Sequence, residues 1–153
     1  MQPLTSSEHE HRMLLTGAAL WLLMALLLAW CMVGLNFGVP VLKSVFAGKF
    51  TRLLQAHIDF LLMTALILGI AASRVRLPWH VRWAMVIGAF TNSSLFLLMA
   101  VFPALDNPQL PPPMLFQCYL LASIVTTSYG FGKAAVFILR SFWQAPSSAG
   151  ESR

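Results

Sequence analysis

The sequence predicts an all-α membrane protein, a four-transmembrane-helix antiparallel bundle in which residues 1–153 form a single domain. Three observations carry this. Of the 153 residues, 58% are hydrophobic and only 10% charged, against roughly 25% charged in soluble domains. Four windows, at about 12–35, 53–72, 81–102 and 114–142, reach the roughly 20 apolar residues that cross a bilayer. The connections between them are too short to hold a soluble domain. A soluble fold of this size has no means of hiding so much apolar surface, so a lipid bilayer is the expected environment.

Span one runs from Met13 to Val33, with Gly17 its only break before Gly34. No small-residue cleavage site follows within reach, so it reads as a retained helix rather than a cleavable signal. Before it, Ser6 to His11 reads as a solvated cap, and His9 and His11 as part of that cap rather than a metal site. The connection Asn36 to Thr51 holds Gly38, Pro40 and Gly48, with Val41 to Phe46 as a half-turn on the outer surface. Span two opens with Ala56-His57-Ile58-Asp59. A tight basic turn, Ser73 to His80, is ended by Pro78 and leads into span three. That span carries Gly88-Ala89-Phe90-Thr91-Asn92-Ser93-Ser94. Ala104 to Pro113 contains Asp106-Asn107-Pro108 and Pro111-Pro112-Pro113, whose proline run is a stiff extended spacer. Span four bears Ser123, Thr126, Thr127, Tyr129 and Lys133; Tyr129 and Lys133, four apart, are placed to line one wall of a cavity, with snorkelling to the cytoplasmic end as the default for Lys133. The tail from Ala145 is disordered in composition.

The net charge of +5 reads as topology, not as nucleic-acid affinity. Arg12, Arg74, Arg76, Arg82, Arg140 and Arg153 fall on one side of the weave; Lys43, Lys49, Arg52 and Asp106 fall on the other. The bias places both termini in the cytoplasm of a bacterial inner membrane. Trp79, Trp83 and Trp143 mark the cytoplasmic ends, where aromatic rings prefer the headgroup layer. Cys31 and Cys118 lie inside apolar spans and are expected as small buried hydrophobes. With no C-x-x-C or Cys/His cluster, zinc and iron–sulfur sites lack a ligand set.

His57 is the one histidine inside a span. Ionisable groups at membrane depth are costly and mark functional sites. It lies five residues past Arg52, about 7 to 8 Å below the interface. Asp59 is turned about 200° from it, on a face shared with Gln55 and Met63, while Thr64 shares the face of His57. Both polar faces need partners, and since one small bundle is not expected to bury both, a homo-oligomer with His57 or Asp59 at the subunit contact is predicted. In span three, Thr91, Ser93 and Ser94 can bond their own helix, whereas Asn92 wants a cross-helix partner. Gly88, one turn earlier, leaves room for a neighbouring helix or a flat ligand.

Ala56-His57-Ile58-Asp59 and Gly88-Ala89-Phe90-Thr91-Asn92 resemble the small four-helix isomerases of bacterial inner membranes, the styrene oxide isomerases and hydroxylaminobenzene mutases. The Gly-x-Phe-x-Asn spacing looks closer to the mutase branch. The resemblance implies a trimer and a haem b at a subunit interface, with His57 as axial ligand and ferric iron as Lewis acid. It also implies that Asn92 orients a heteroatom of a small apolar substrate, an epoxide or an arylhydroxylamine. With one membrane histidine per chain, two histidines of the same chain cannot clamp an iron, so such a haem would keep an open sixth position. The sequence departs from the styrene oxide isomerases at Met63 and Thr64, where they carry Asn and Gly, and at Phe96, where they carry Tyr. A substrate-positioning tyrosine would then be Tyr129 or Tyr119. Three function classes follow: a haem-dependent isomerase, a haem protein without isomerase activity, and a cofactor-free packing subunit in which His57 is an interfacial polar residue.

Overall fold

The computed structural model describes residues 6–143, with side chains from residue 12 onward. The side chains of His9 and His11, and the tail from Ala145, lie outside the described residues. Six helical elements follow one another: α1 (Ser6–Asn36), α2 (Pro40–Val45), α3 (Phe50–Ala72), α4 (Trp79–Val101), a 3-10 turn (Pro103–Asp106) and α5 (Met114–Trp143). Four of them, α1, α3, α4 and α5, are long and apolar enough to cross a membrane. The all-α, four-span architecture is the one the sequence predicts.

The helix ends follow local chemistry. Gly38, at φ 80°, takes the left-handed conformation that only glycine adopts without steric cost. Gly38 N–H donates to Leu35 and Val39 N–H to Gly34, the paired bonds that close a helix C-terminus. Pro40 then starts α2, Pro78 precedes α4, and Pro113 precedes α5, each where a missing N–H does no harm. The expected half-turn at Val41 to Phe46 is the six-residue helix α2, with no buried residue. Ahead of the proline run 111–113, which is not helical, the connection opens with the 3-10 turn. Pro103 presets its first φ, and Leu105 N–H donates to Phe102.

Packing makes a triangle with an added arm. α3 lies against α1 on one flank and α4 on the other, α1 also touches α4, and α5 leans mainly on α4. Trp21 ties the triangle together. Its ring stacks on Phe90 at 4.8 Å and its Nε1–H donates to the Val86 carbonyl at 3.2 Å. Above and below it sit two apolar clusters, one around Ile67 and Met85 and one around Leu53 and Phe60. Large aliphatic side chains such as Leu23, Leu27, Leu115 and Leu121 face outward, as suits a protein whose solvent is hydrocarbon. Trp79, Trp83 and Trp143 are exposed at the end that carries Arg74, Arg76 and Arg140. Both cysteines are free. Cys31 is half-buried, but Cys118 is exposed, so burial is not what places it. It falls on the face of α5 turned away from α4.

Candidate functional site

His57 points from α3 to α1, where its Nδ1 lies 2.9 Å from the carbonyl oxygen of Ala25. A carbonyl only accepts, so Nδ1 is the donor, and in the neutral ring the lone pair resides on Nε2. Ala25 is fully buried; its small side chain lets the imidazole reach the α1 backbone. Two turns further along the same face, Thr64 shares its hydroxyl hydrogen between the Phe60 carbonyl at 2.8 Å and the Ala18 carbonyl of α1 at 3.5 Å. The ring is therefore fixed in tautomer and direction, the usual arrangement behind a metal-binding histidine. The ring is half-buried. Among the described residues there is no group of three or more potential ligands. His57, through Nε2, is the residue here that could hold a haem iron.

Asp59 points the other way. Its Oδ2 accepts from Asn92 Nδ2 at 2.9 Å and from Ser93 Oγ at 2.8 Å. The cross-helix partner that Asn92 needs is this carboxylate. Ser93 also lies 3.0 Å from the Ala89 carbonyl, so its single hydrogen is shared between its own helix and the cluster. Both polar faces of α3 are thus met within one chain, and polar satisfaction alone does not demand a subunit contact. Gln55 accepts from Arg52 at 2.8 Å nearer the helix start and takes no part in this cluster. Met63 lies in the apolar core with Ile67, and Phe96 packs on the neighbouring cluster, so neither position offers a polar group.

His57 and Asn92 consequently lie on opposite flanks of α3, one beside α1 and the other beside α4. A single small ligand within one chain does not bridge them. Tyr129 is not brought to either. It is exposed, its ring 6.2 Å from that of His80 at the start of α4, about 18 Å along the helix from Asn92 at 1.5 Å per residue. Lys133 is exposed too, and the wall expected from the pair faces outward. The tyrosine that does approach is Tyr119, whose hydroxyl lies 2.6 Å from Ser94 Oγ. Ser94 is also 2.9 Å from the Thr91 carbonyl, to which its single hydrogen is given, so Tyr119 donates to Ser94.

The room at Gly88 is taken by a helix. A side chain there would meet Thr127 Cα at 2.8 Å, and one at Gly130 would meet Met85 N at 2.6 Å. Thr127 Oγ1 donates to the Gly88 carbonyl at 2.9 Å, sealing α5 on α4. Beside this seam an apolar groove of about 570 Å³ runs between Leu98, Phe102, Leu105, Phe116 and Tyr119. His57 and Asn92 do not line it.

At the far end of the bundle, Asp106 gathers Arg52 at 2.5 Å and Lys49 at 2.9 Å. Gly48 N–H donates to Ala100 at 2.8 Å, so the α2–α3 connection is pinned to the end of α4. The charge pattern put these residues on one side of the membrane without pairing them. The Arg52 hydrogen bond first, then that from Lys49, lowers the Asp106 pKa from 3.8 to about 2.

No protein-family model, curated protein or solved structure matches this chain.

Proposed function

We propose that this protein is a haem-b-dependent membrane isomerase that rearranges a small apolar substrate, an epoxide or an arylhydroxylamine. One observation carries the reading: His57 Nδ1 is committed to Ala25, leaving Nε2 as an oriented donor at the membrane-facing flank of α1 and α3. A ferric haem on that nitrogen would supply a Lewis-acidic iron with an open coordination position for a substrate heteroatom. The chain's own part is to hold the imidazole aimed through Nδ1, exclude water with the surrounding leucines, and present Asn92 to the substrate. Because His57 of α3 turns to α1 while Asn92 of α4 lies on the opposite flank of α3, the site is completed across a contact between copies, the His57 flank of one against the Asn92 flank of the next. Repetition of that head-to-tail contact closes a ring, and a trimer agrees with the resemblance. The location proposed is a bacterial inner membrane with both termini cytoplasmic, following the arginine-rich end.

A second reading has its own support. His57 and Asp59 are both satisfied inside the chain, which is what a cofactor-free packing subunit requires. Turnover decides. Protein purified after haem-replete expression should isomerise styrene oxide or phenylhydroxylamine, and Asn92→Ala should keep the haem and lose turnover. Haem-loaded protein inert toward both leaves a haem protein without this activity; haem-free protein leaves the packing subunit.

A further inference from the structure

We infer that the cluster of Asp59, Asn92 and Ser93 is a binding site for a ligand that donates hydrogen bonds, an N–H or O–H compound, and that it discriminates against ligands that only accept. The inference deepens the substrate half of the reading above and rests on the role given there to Asn92, but not on haem.

The direction of the hydrogen bonds decides the chemistry. The bond runs from Asn92 Nδ2–H to Asp59 Oδ2, so the amide turns its NH₂ toward Asp59 and its Oδ1 away. Asn92 Nδ2 and Ser93 Oγ both reach the same oxygen, Oδ2. Asp59 Oδ1 and Asn92 Oδ1 take no part in these bonds, and both residues are half-buried rather than sealed. Among the described residues the ion pairs fall on Asp106, so Asp59 is not neutralised by a basic side chain there. What the cluster presents outward is therefore two acceptors at membrane depth. An ether or epoxide oxygen brought there meets only lone pairs, whereas a hydroxyl, amine or hydroxylamine satisfies them.

A second observation lies across the seam. Ser123 Oγ is buried and unpartnered among the described residues, with the side chain 2% exposed. Ser123, Thr127 and Gly130 share one face of α5, and Thr127 and Gly130 both touch α4. The antiparallel register set by Gly88 with Thr127 and Ser94 with Tyr119 puts Ser123 level with Asn92. A buried hydroxyl without a partner is costly. In this inference it is the donor to the oxygen of a ligand whose hydrogen goes to Asp59 or Asn92.

The experiment uses a matched pair of probes, 4-fluorophenol and 4-fluoroanisole, titrated by fluorine NMR against the full chain in nanodiscs, with empty nanodiscs as the partition control. The phenol should bind saturably and about tenfold more tightly than the anisole, the worth of a hydrogen bond to a charged or strongly polar acceptor. Asp59→Asn, which keeps the shape and replaces an acceptor by a donor, should bring the ratio below about threefold. Ser123→Ala should weaken both probes alike, since each carries an acceptor oxygen. Gly69→Ala, at a position with open space around it and outside the cluster, should leave the ratio unchanged. Equal affinity of the two probes in the wild type, or a preference that persists in Asp59→Asn, overturns the inference. A lost Soret band with an intact phenol preference counts against the cofactor alone.

Discussion

His57 and Asp59 stand two residues apart on α3 and are held by different helices, the imidazole by the Ala25 carbonyl of α1 and the carboxylate by Asn92 of α4, each at 2.9 Å. The half-turn between them sends one potential ligand and one acceptor cluster to opposite flanks of the same helix. Everything proposed for this protein follows from that division.

The Asp59–Asn92 bond should be measurable as a coupling. Asp59→Leu and Asn92→Leu, combined in a double-mutant cycle, should give an interaction of about 0.6 kcal/mol and up to about 1.7, the range found for polar pairs between membrane helices. Unfolding in mixed micelles provides the measurement. Additive effects of the two substitutions contradict the pairing.

The seam between α4 and α5 should be intolerant of bulk. Gly130→Val drives a side chain into the Met85 and Ala84 backbone and should destabilise by roughly 1 to 3 kcal/mol. Gly69 has open space around it, so Gly69→Ala should be neutral or stabilising by about 0.5 to 1 kcal/mol through helix propensity. Thermal unfolding of the two variants side by side checks the contrast, and a well-tolerated Gly130→Val argues against the close approach.

The Asp106 cluster predicts an acid limb in stability. A carboxyl whose pKa falls from 3.8 to about 2 on folding contributes stability that is present in full above the unfolded value. That contribution is lost as pH drops from about 4 toward 2. Wild-type protein should therefore lose stability across that window more steeply than Asp106→Asn, which should already be weaker at neutral pH. Parallel pH profiles for the two proteins would remove Asp106 from the account.

Much of the fold was legible in the sequence because membrane spans declare themselves by length and composition, and prolines and Gly38 set their ends. The need of Asn92 for a cross-helix partner was legible too, since polar groups at membrane depth have few other recourses. The pairing geometry was not. That His57 turns to α1 and Asp59 to α4 depends on which helix lies on which flank of α3, and periodicity gives only the angle between them. Of the two candidate tyrosines of span four, Tyr129 stood out because it sits in the polar run. The register of α5 on α4, set by Gly88 against Thr127, instead brings Tyr119 to Ser94 and leaves Tyr129 beside His80. Arg52, Lys49 and Asp106 shared a side by charge counting, but their convergence needed the 3-10 turn that the proline-rich reading passed over.

The central claim is that His57 holds a haem iron, and the Soret spectrum tests it most directly. Wild-type protein purified after haem-replete expression should show a Soret band. His57→Ala should abolish or strongly shift that band while its far-ultraviolet circular dichroism stays helical, because the imidazole contributes one bond to α1 and little to core packing. A wild-type protein without haem under those conditions, or a His57→Ala protein with an unchanged Soret band, contradicts the claim and leaves His57 as a clasp between α1 and α3.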